Sequence, residues 1–183
     1  MKQNTFYIIT GGPGVGKTSL ADKLSEAGYR VIAEDARRVI KQQMDAGGEA
    51  LPWKNKTQYL QLMLSASIES YVKAASEKPE AVTFFDRGIP DSLCYAMMNG
   101  LDLSASMAKT ADALRYHQTV FMLPPWPEIY KTDSERKQDW EEAESTYHAM
   151  KRTYEAQHYK VVEVPKIGVE ERVLFILSHI AVQ

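Results

Sequence analysis

The chain has 183 residues, of which 44% are hydrophobic and 25% charged, with a formal net charge of -2. This composition suits one globular domain able to bury a full core, and the near-neutral balance gives no reason to expect nucleic-acid or membrane-surface binding. Cys94 is the single cysteine and the histidines at 117, 148, 158 and 179 lack metal-ligand spacing, so neither a disulfide framework nor a zinc site is expected. No apolar run approaches a membrane span, and residues 1–5 lead straight into the first strand without a signal-peptide core, which predicts a cytoplasmic protein.

In chain order, residues 6–9 (Phe-Tyr-Ile-Ile) form a short apolar, β-prone run. Thr10-Gly11-Gly12-Pro13-Gly14-Val15-Gly16-Lys17-Thr18-Ser19 follows and fits G-x-x-x-x-G-K-[ST], with Gly11 first and Lys17-Thr18 last. A helix then runs to about Gly28. Strand, glycine loop and helix stand in the order of a phosphate-binding loop. Its glycines let backbone N–H groups converge on a β-phosphate at the helix N-terminus. Lys17 would supply charge between the β- and γ-phosphates of ATP, and the Thr18 hydroxyl is the expected Mg2+ ligand.

A second strand is expected over 29–33, followed by a helix from Glu34-Asp35-Ala36-Arg37-Arg38 that Gly47-Gly48 ends. A long helix over 57–76 keeps apolar residues at a period near 3.6. Residues 81–85 read as a third strand buried on both faces, with Asp86-Arg87-Gly88 at its carboxyl end and Ile89-Pro90-Asp91 opening a helix that closes at Asn99-Gly100. A helix over 104–115, a fourth strand over 119–123, a polar loop over about 124–138, a helix from Trp140 through Tyr154, a fifth strand over 160–165 and a helix over 169–180 complete the chain. Strands alternating with helices predict a single α/β domain over 1–183, a parallel sheet covered on both faces. Its polar clusters at 11–18, 34–38, 86–91 and 124–136 all fall at strand carboxyl ends, where such folds bind ligands.

Asp86 is placed to hold Mg2+ opposite Thr18, and Arg87 to reach a phosphate or an acceptor. Glu34 is placed to orient an acceptor hydroxyl, with Arg37 or Arg38 pairing with it or holding an anionic acceptor; the competing reading is a helix-capping carboxylate before a solvated basic face. Arg136, with Lys131 and Lys137 as substitutes, is the candidate for an arm that covers the triphosphate. Trp53, Tyr95, Trp126 and Tyr130 are candidates for stacking on a planar substrate, Tyr95 foremost.

Together these residues resemble the P-loop kinase group. Residues 86–95 are similar to the thymidylate kinase pattern D-R-Y-x-x-S-S-x-A-Y, departing from it at Gly88, Asp91 and Cys94, which tells against thymidylate as the acceptor. A nearer resemblance is to the small "predicted ATPase" family with an AAA-type label, related to the ribosylnicotinamide kinase domain of bacterial NAD regulators. It rests on Glu34-Asp35-Ala36-Arg37-Arg38, Phe85-Asp86-Arg87-Gly88 with Asp91, and Pro125-Trp126-Pro127 followed by Arg136. It implies a three-layer P-loop fold with strand order 2-3-1-4-5. An AAA+ motor is not expected, since the chain has no room for the helical lid domain of such motors. A GTPase is disfavoured because Asn55-Lys56-Thr57-Gln58 lacks the aspartate of the guanine-reading motif. The function expected is transfer of the γ-phosphate of ATP to a small hydroxyl-bearing molecule, with a slow ATPase acting on a protein partner as the alternative. Expected partners are a nucleoside triphosphate, an acceptor and, as an option, a second copy in a homodimer.

Overall fold

The computed structural model describes residues 5–77, 80–129 and 140–180. Its strands are β1 (Phe6–Gly11), β2 (Arg30–Ile32), β3 (Thr83–Asp86), β4 (Thr119–Leu123) and β5 (Lys160–Glu163). They form one five-stranded sheet in the order β2-β3-β1-β4-β5, and every pairing is parallel. The helices are α1 (Lys17–Glu26), α2 (Asp35–Asp45), α3 (Lys56–Glu77), α4 (Ile89–Met98), α5 (Ala105–Ala113), α6 (Trp140–Ala156) and α7 (Val169–Ile180).

The unbroken apolar runs of β1 and β4 have a simple cause: successive side chains point to opposite faces, and both faces are covered. Phe6, Ile8, Phe85, Val120 and Met122 pack into one core with α3, α4 and α6, through residues such as Leu64, Cys94 and Tyr154. Tyr7, Ile9, Phe84, Phe121 and Leu123 pack into the other with Leu20 and Leu24 of α1 and Val173 and Ile176 of α7. Each fully buried side chain of this size contributes roughly 1.5–3 kcal/mol. A third cluster joins Val39 of α2, Leu60 and Met63 of α3, and Ala96 of α4, and so packs α2 and α4 against α3.

Boundaries differ from the sequence reading mainly at the sheet. β1 continues through Thr10 to Gly11, because Gly11 still pairs with Leu123 of β4. The edge strand β2 holds its ladder only over Arg30–Ile32, and β5 ends at Glu163, just before Pro165. β3 begins at Thr83, whose amide bonds back to Thr5, leaving Ala81 and Val82 ahead of the ladder. No helix of the described residues is long and apolar enough to cross a membrane.

Candidate active site

The loop between β1 and α1 bends through positive φ at Gly11, Gly14 and Gly16. At Gly16 (φ 86°) a side chain would be strained, and its Cβ would also lie 3.0 Å from Arg172. Gly16 caps α1 with no side-chain acceptor, so the first N–H groups of the helix face the loop uncapped, as anion binding requires. Val15 is buried and ties the loop to the α1–α7 core. Lys17 is only 6% exposed and folds back over the loop, its Nζ donating to Gly11 O (3.0 Å) and Gly12 O (2.8 Å). Burial lowers its pKa to about 8; Arg87 adds to the fall, while Glu34, Asp86 and Asp91 oppose it. Thr18 and Ser19 are exposed on the first turn.

β3 delivers the opposing wall. Asp86 lies beside Ile9 in the ladder, and its Oδ1 is shielded from solvent with no hydrogen-bond partner among the described residues. Burial raises the Asp86 pKa, and Lys17 pulls it partly back. Arg87 takes a left-handed backbone conformation (φ 69°), uncommon for a residue with a side chain and found most often where function demands it. Its amide donates to Ile9 O at 2.9 Å. Its Nε donates to Glu34 Oε1 at 2.8 Å, and a terminal nitrogen donates to Asp91 Oδ1 at 3.2 Å.

Glu34 occupies the N-cap position of α2, yet its side chain caps nothing. The carboxylate turns to Arg87 and, at 3.1 Å, to Arg37. Burial acts to raise its pKa, but Arg87, Lys17 and Arg37 together outweigh burial and lower it. The capping alternative therefore fails for Glu34. Of the two arginines, Arg37 pairs with Glu34, whereas Arg38 pairs with Asp35 at 2.7 Å, which also accepts from Ser70 of α3; both arginine side chains are exposed.

Sequence reasoning gave no role in the site to Asp91, the residue at the centre of this wall. Asp91 accepts from Thr10 Oγ1 (2.6 Å), Tyr154 Oη (2.5 Å), the Gly88 amide (2.8 Å) and Arg87, joining β1, α6 and the start of α4. The available signal was its place three residues after Gly88, where an acidic side chain reaches back to the N-cap amide. Gly88, one of the three departures from the thymidylate kinase pattern, is favoured by space: a Cβ there would lie 2.5 Å from Ile8 Cδ1 and 3.2 Å from the Tyr116 ring. Arg172, read only as part of an apolar helix, is 5% exposed, donates to Val15 O at 3.1 Å and stacks over Trp126 at 4.6 Å.

Of the stacking candidates, Trp126 is thus engaged by Arg172, Trp53 is 63% exposed, and Tyr95 stands edge-on to Tyr59 at 5.3 Å. Arg136, Lys131, Lys137 and Tyr130 lie outside the described residues. Cys94 is a buried, free thiol. Beyond Arg87 and Asp91 a cleft of about 370 Å³ opens between α4 and α6.

A family model described as an AAA domain matches residues 6–172. The chain belongs to that family. Among solved structures, this AAA-domain chain is similar to NadR protein in complex with NR, at a TM-score of 0.70 and 18% identity, covering 96% of this chain and 49% of that one. It thus spans about half the length of that NadR structure. A thymidylate kinase from Ehrlichia chaffeensis matches at a TM-score of 0.63 and 14% identity over 98% of this chain and 100% of that one. A deoxyadenosine kinase from M. mycoides matches at 0.60 and 15% over 97% and 100%. The AAA-domain chain therefore has the P-loop kinase fold. No curated protein matches it in sequence.

Proposed function

We propose that this chain is an ATP-dependent phosphotransferase that moves the γ-phosphoryl group to a hydroxyl of a small molecule. One observation carries the reading: Glu34, Arg87 and Asp91, from the end of β2, the end of β3 and the first turn of α4, form one ion-paired chain, and with Asp86 they act electrostatically on the buried Lys17 of the donor loop. A nucleotide-binding switch would need the donor half of that cluster alone. Here Arg87 and Asp91 line a cleft, and Glu34 is bonded to Arg87.

In this reading the uncapped amides of α1 and the loop bind the β-phosphate, and Lys17 leaves the Gly11 and Gly12 carbonyls for the triphosphate oxygens. Glu34, held ionised by Arg87, Lys17 and Arg37, accepts the hydrogen of the acceptor hydroxyl. The acceptor oxygen then bonds to the γ-phosphorus as the bond to the β–γ bridging oxygen breaks, and ADP departs with that electron pair. Arg87 holds the acceptor side in place.

Magnesium fits the residues present. Asp86 carries a buried, unpartnered carboxylate oxygen, and Thr18 offers a hydroxyl from the exposed first turn of α1. These two would hold the ion together with nucleotide oxygens, and the bound ion would supply neutralisation of phosphate charge. No group of three or more His, Cys, Asp or Glu side chains able to hold a metal occurs among the described residues, which suits an ion that arrives with its nucleotide.

The test is product identity. The protein is incubated with ATP, Mg2+ and pooled small metabolites, and the mixture is searched for a new phosphorylated compound. Release of inorganic phosphate alone, unchanged by any metabolite, would refute transfer and favour a slow ATPase.

A further inference from the structure

Arg87 stands on the acceptor side of the phosphotransferase reading, and its direction has to be fixed by more than its own backbone. The residue leaves β3 in a left-handed conformation (φ 69°), and its side chain is 22% exposed at the wall of the cleft. A guanidinium is a rigid plane, so one hydrogen bond lets it swing about that bond, whereas two through different nitrogens hold it. The first bond runs from Nε to Glu34 Oε1 at 2.8 Å, and the second from Nη1 to Asp91 Oδ1 at 3.2 Å. Glu34 already supplies the opposite charge. What Asp91 adds is direction.

Asp91 is itself held more firmly than a helix start requires. Its Oδ1 accepts from Thr10 Oγ1 at 2.6 Å as well as from Arg87, and its Oδ2 accepts from the Gly88 amide at 2.8 Å and Tyr154 Oη at 2.5 Å. Capping of α4 accounts for the Gly88 bond alone. The other donors come from distant elements: Tyr154 is fully buried on α6, and Thr10, fully buried on β1, directly precedes Gly11 of the donor loop. One oxygen of Asp91 therefore holds both the donor-loop strand and the acceptor-side arginine. An ionised carboxylate has about four acceptor sites, and four donors occupy them here. Asp91 thus has no capacity left to receive an acceptor's proton, and turning its carboxylate would break several charge-assisted bonds together.

We infer that Asp91 is a positioning residue for phosphoryl transfer: clamped by Thr10, Gly88 and Tyr154, it sets the Arg87 guanidinium, and with it Glu34, at a fixed place relative to the donor loop. The inference rests on the phosphotransferase reading. Tyr154 belongs to the same device, one step further out. Misplacing a positioned group by about 1 Å can cost roughly 10²-fold in rate, so a residue that touches no reacting atom can matter that much to turnover.

The test uses the full chain with ATP labelled on its γ-phosphate, Mg2+ and the pooled metabolites. Single-turnover transfer of label is read beside AMP-PNP titration and proton–nitrogen NMR of the Arg87 Nε–H, a signal that Arg87→Lys assigns. Asp91→Asn should slow transfer about 10²-fold and Tyr154→Phe about tenfold, with AMP-PNP affinity within about threefold of wild type in both. The Arg87 Nε–H, bonded to Glu34, should exchange with solvent faster in both variants. A purely structural Asp91 would lower the Tm but leave the rate per folded molecule and the Arg87 signal unchanged, so every assay runs well below each variant's Tm. If Asp91→Asn fails to fold, Tyr154→Phe alone decides, since it removes one donor at nearly constant shape. A wild-type transfer rate or unchanged Arg87 exchange in the deciding variant overturns the inference and leaves the phosphotransferase reading standing. So does a loss of transfer matched by an equal loss of AMP-PNP affinity, which would place the defect in the donor loop. If the wild-type chain labels no metabolite, the phosphotransferase reading falls and the inference falls with it.

Discussion

Arg87 donates its Nε–H to Glu34 at 2.8 Å, tying the end of β3 to the end of β2 across 53 positions of sequence. The pair is mostly buried, and the arginine has Asp91 as a second carboxylate while Glu34 has Arg37 as a second cation. Glu34→Gln keeps an acceptor for Arg87 but removes the charge proposed to receive the proton. Turnover should fall about 10²–10⁴-fold, the range for a lost general base. Affinity for AMP-PNP should hold within about threefold, since the donor loop is untouched. Single-turnover transfer rates set beside equilibrium titration check this; an unchanged rate removes Glu34 from its assigned role.

Asp86 is expected to trade stability for metal binding. Burial raises its pKa, so at neutral pH the folded protein carries a carboxylate that would be better solvated in the unfolded chain. A raised carboxylate pKa means the penalty is full above the folded pKa and is lifted as pH falls through it toward the unfolded value. Asp86→Asn should therefore leave the Tm of ligand-free protein at pH 7 equal or higher. It should also weaken nucleotide binding in Mg2+ about tenfold or more, to the level wild type shows in EDTA. Thermal unfolding and titration with and without chelator read both effects.

The glycine loop, Lys17 and the alternation of elements were legible because their physics is local: a short motif needs its glycines in a fixed order, and periodicity records which face is buried. The pairing of Glu34 with Arg87 was not, since it depends on the register of β2 on β3, in which Ile32 lies beside Phe85 and the two strand ends are carried to the same place. Asp91, Thr10 and Tyr154 were harder still. Each has an adequate local explanation, as a helix start, a strand residue and a core aromatic, and their shared role exists only after three elements converge. Arg172 escaped because an apolar stripe describes α7 well without it.

Asp91 should behave as a hub. It accepts from Thr10, Tyr154, Gly88 and Arg87 at once. Bonds to a charged acceptor contribute about 1.5–3 kcal/mol each, so Tyr154→Phe and Thr10→Val should each destabilise within that range. Asp91→Asn turns an amide donor toward donors and should cost more than either. A denaturant-based cycle of Tyr154→Phe with Asp91→Asn should give a coupling of about 0.5–3 kcal/mol. Strict additivity would mean that the two side chains do not act together.

Arg172 supports the loop from below through Val15 O and the Trp126 face. Arg172→Met retains bulk but drops the bond and the charge. It should lower stability by about 2 kcal/mol, as for a lost charge-assisted hydrogen bond, and weaken AMP-PNP several-fold. Arg172→Lys can offer one donor but not the planar stack, and should recover only part of either loss. A fall in Tm with unchanged AMP-PNP affinity would make Arg172 a strut of the fold with no part in shaping the loop.

Lys17 gives the site a pH signature. In the ligand-free protein its pKa is lowered to about 8, first by burial and then by Arg87. A triphosphate brings negative charge to the ammonium and must raise that pKa toward or beyond its ordinary value. The bound form therefore holds a proton that the free form has begun to lose, and binding takes up protons as pH climbs past 8. Affinity for AMP-PNP should be flat from pH 6.5 to 7.5 and fall about tenfold per unit well above pH 8. Calorimetry at pH 8.5 in two buffers of different ionisation enthalpy should show uptake of between about half a proton and one. The stability of the ligand-free protein carries the opposite sign. Between about 8 and the ordinary lysine value the unfolded chain binds more protons, so the Lys17 contribution to stability rises with pH there. Lys17→Met removes both effects together with most nucleotide affinity. A wild-type affinity that stays level to pH 9.5 would place a fully charged lysine in the free loop, contrary to the burial that the Gly11 and Gly12 carbonyl contacts impose.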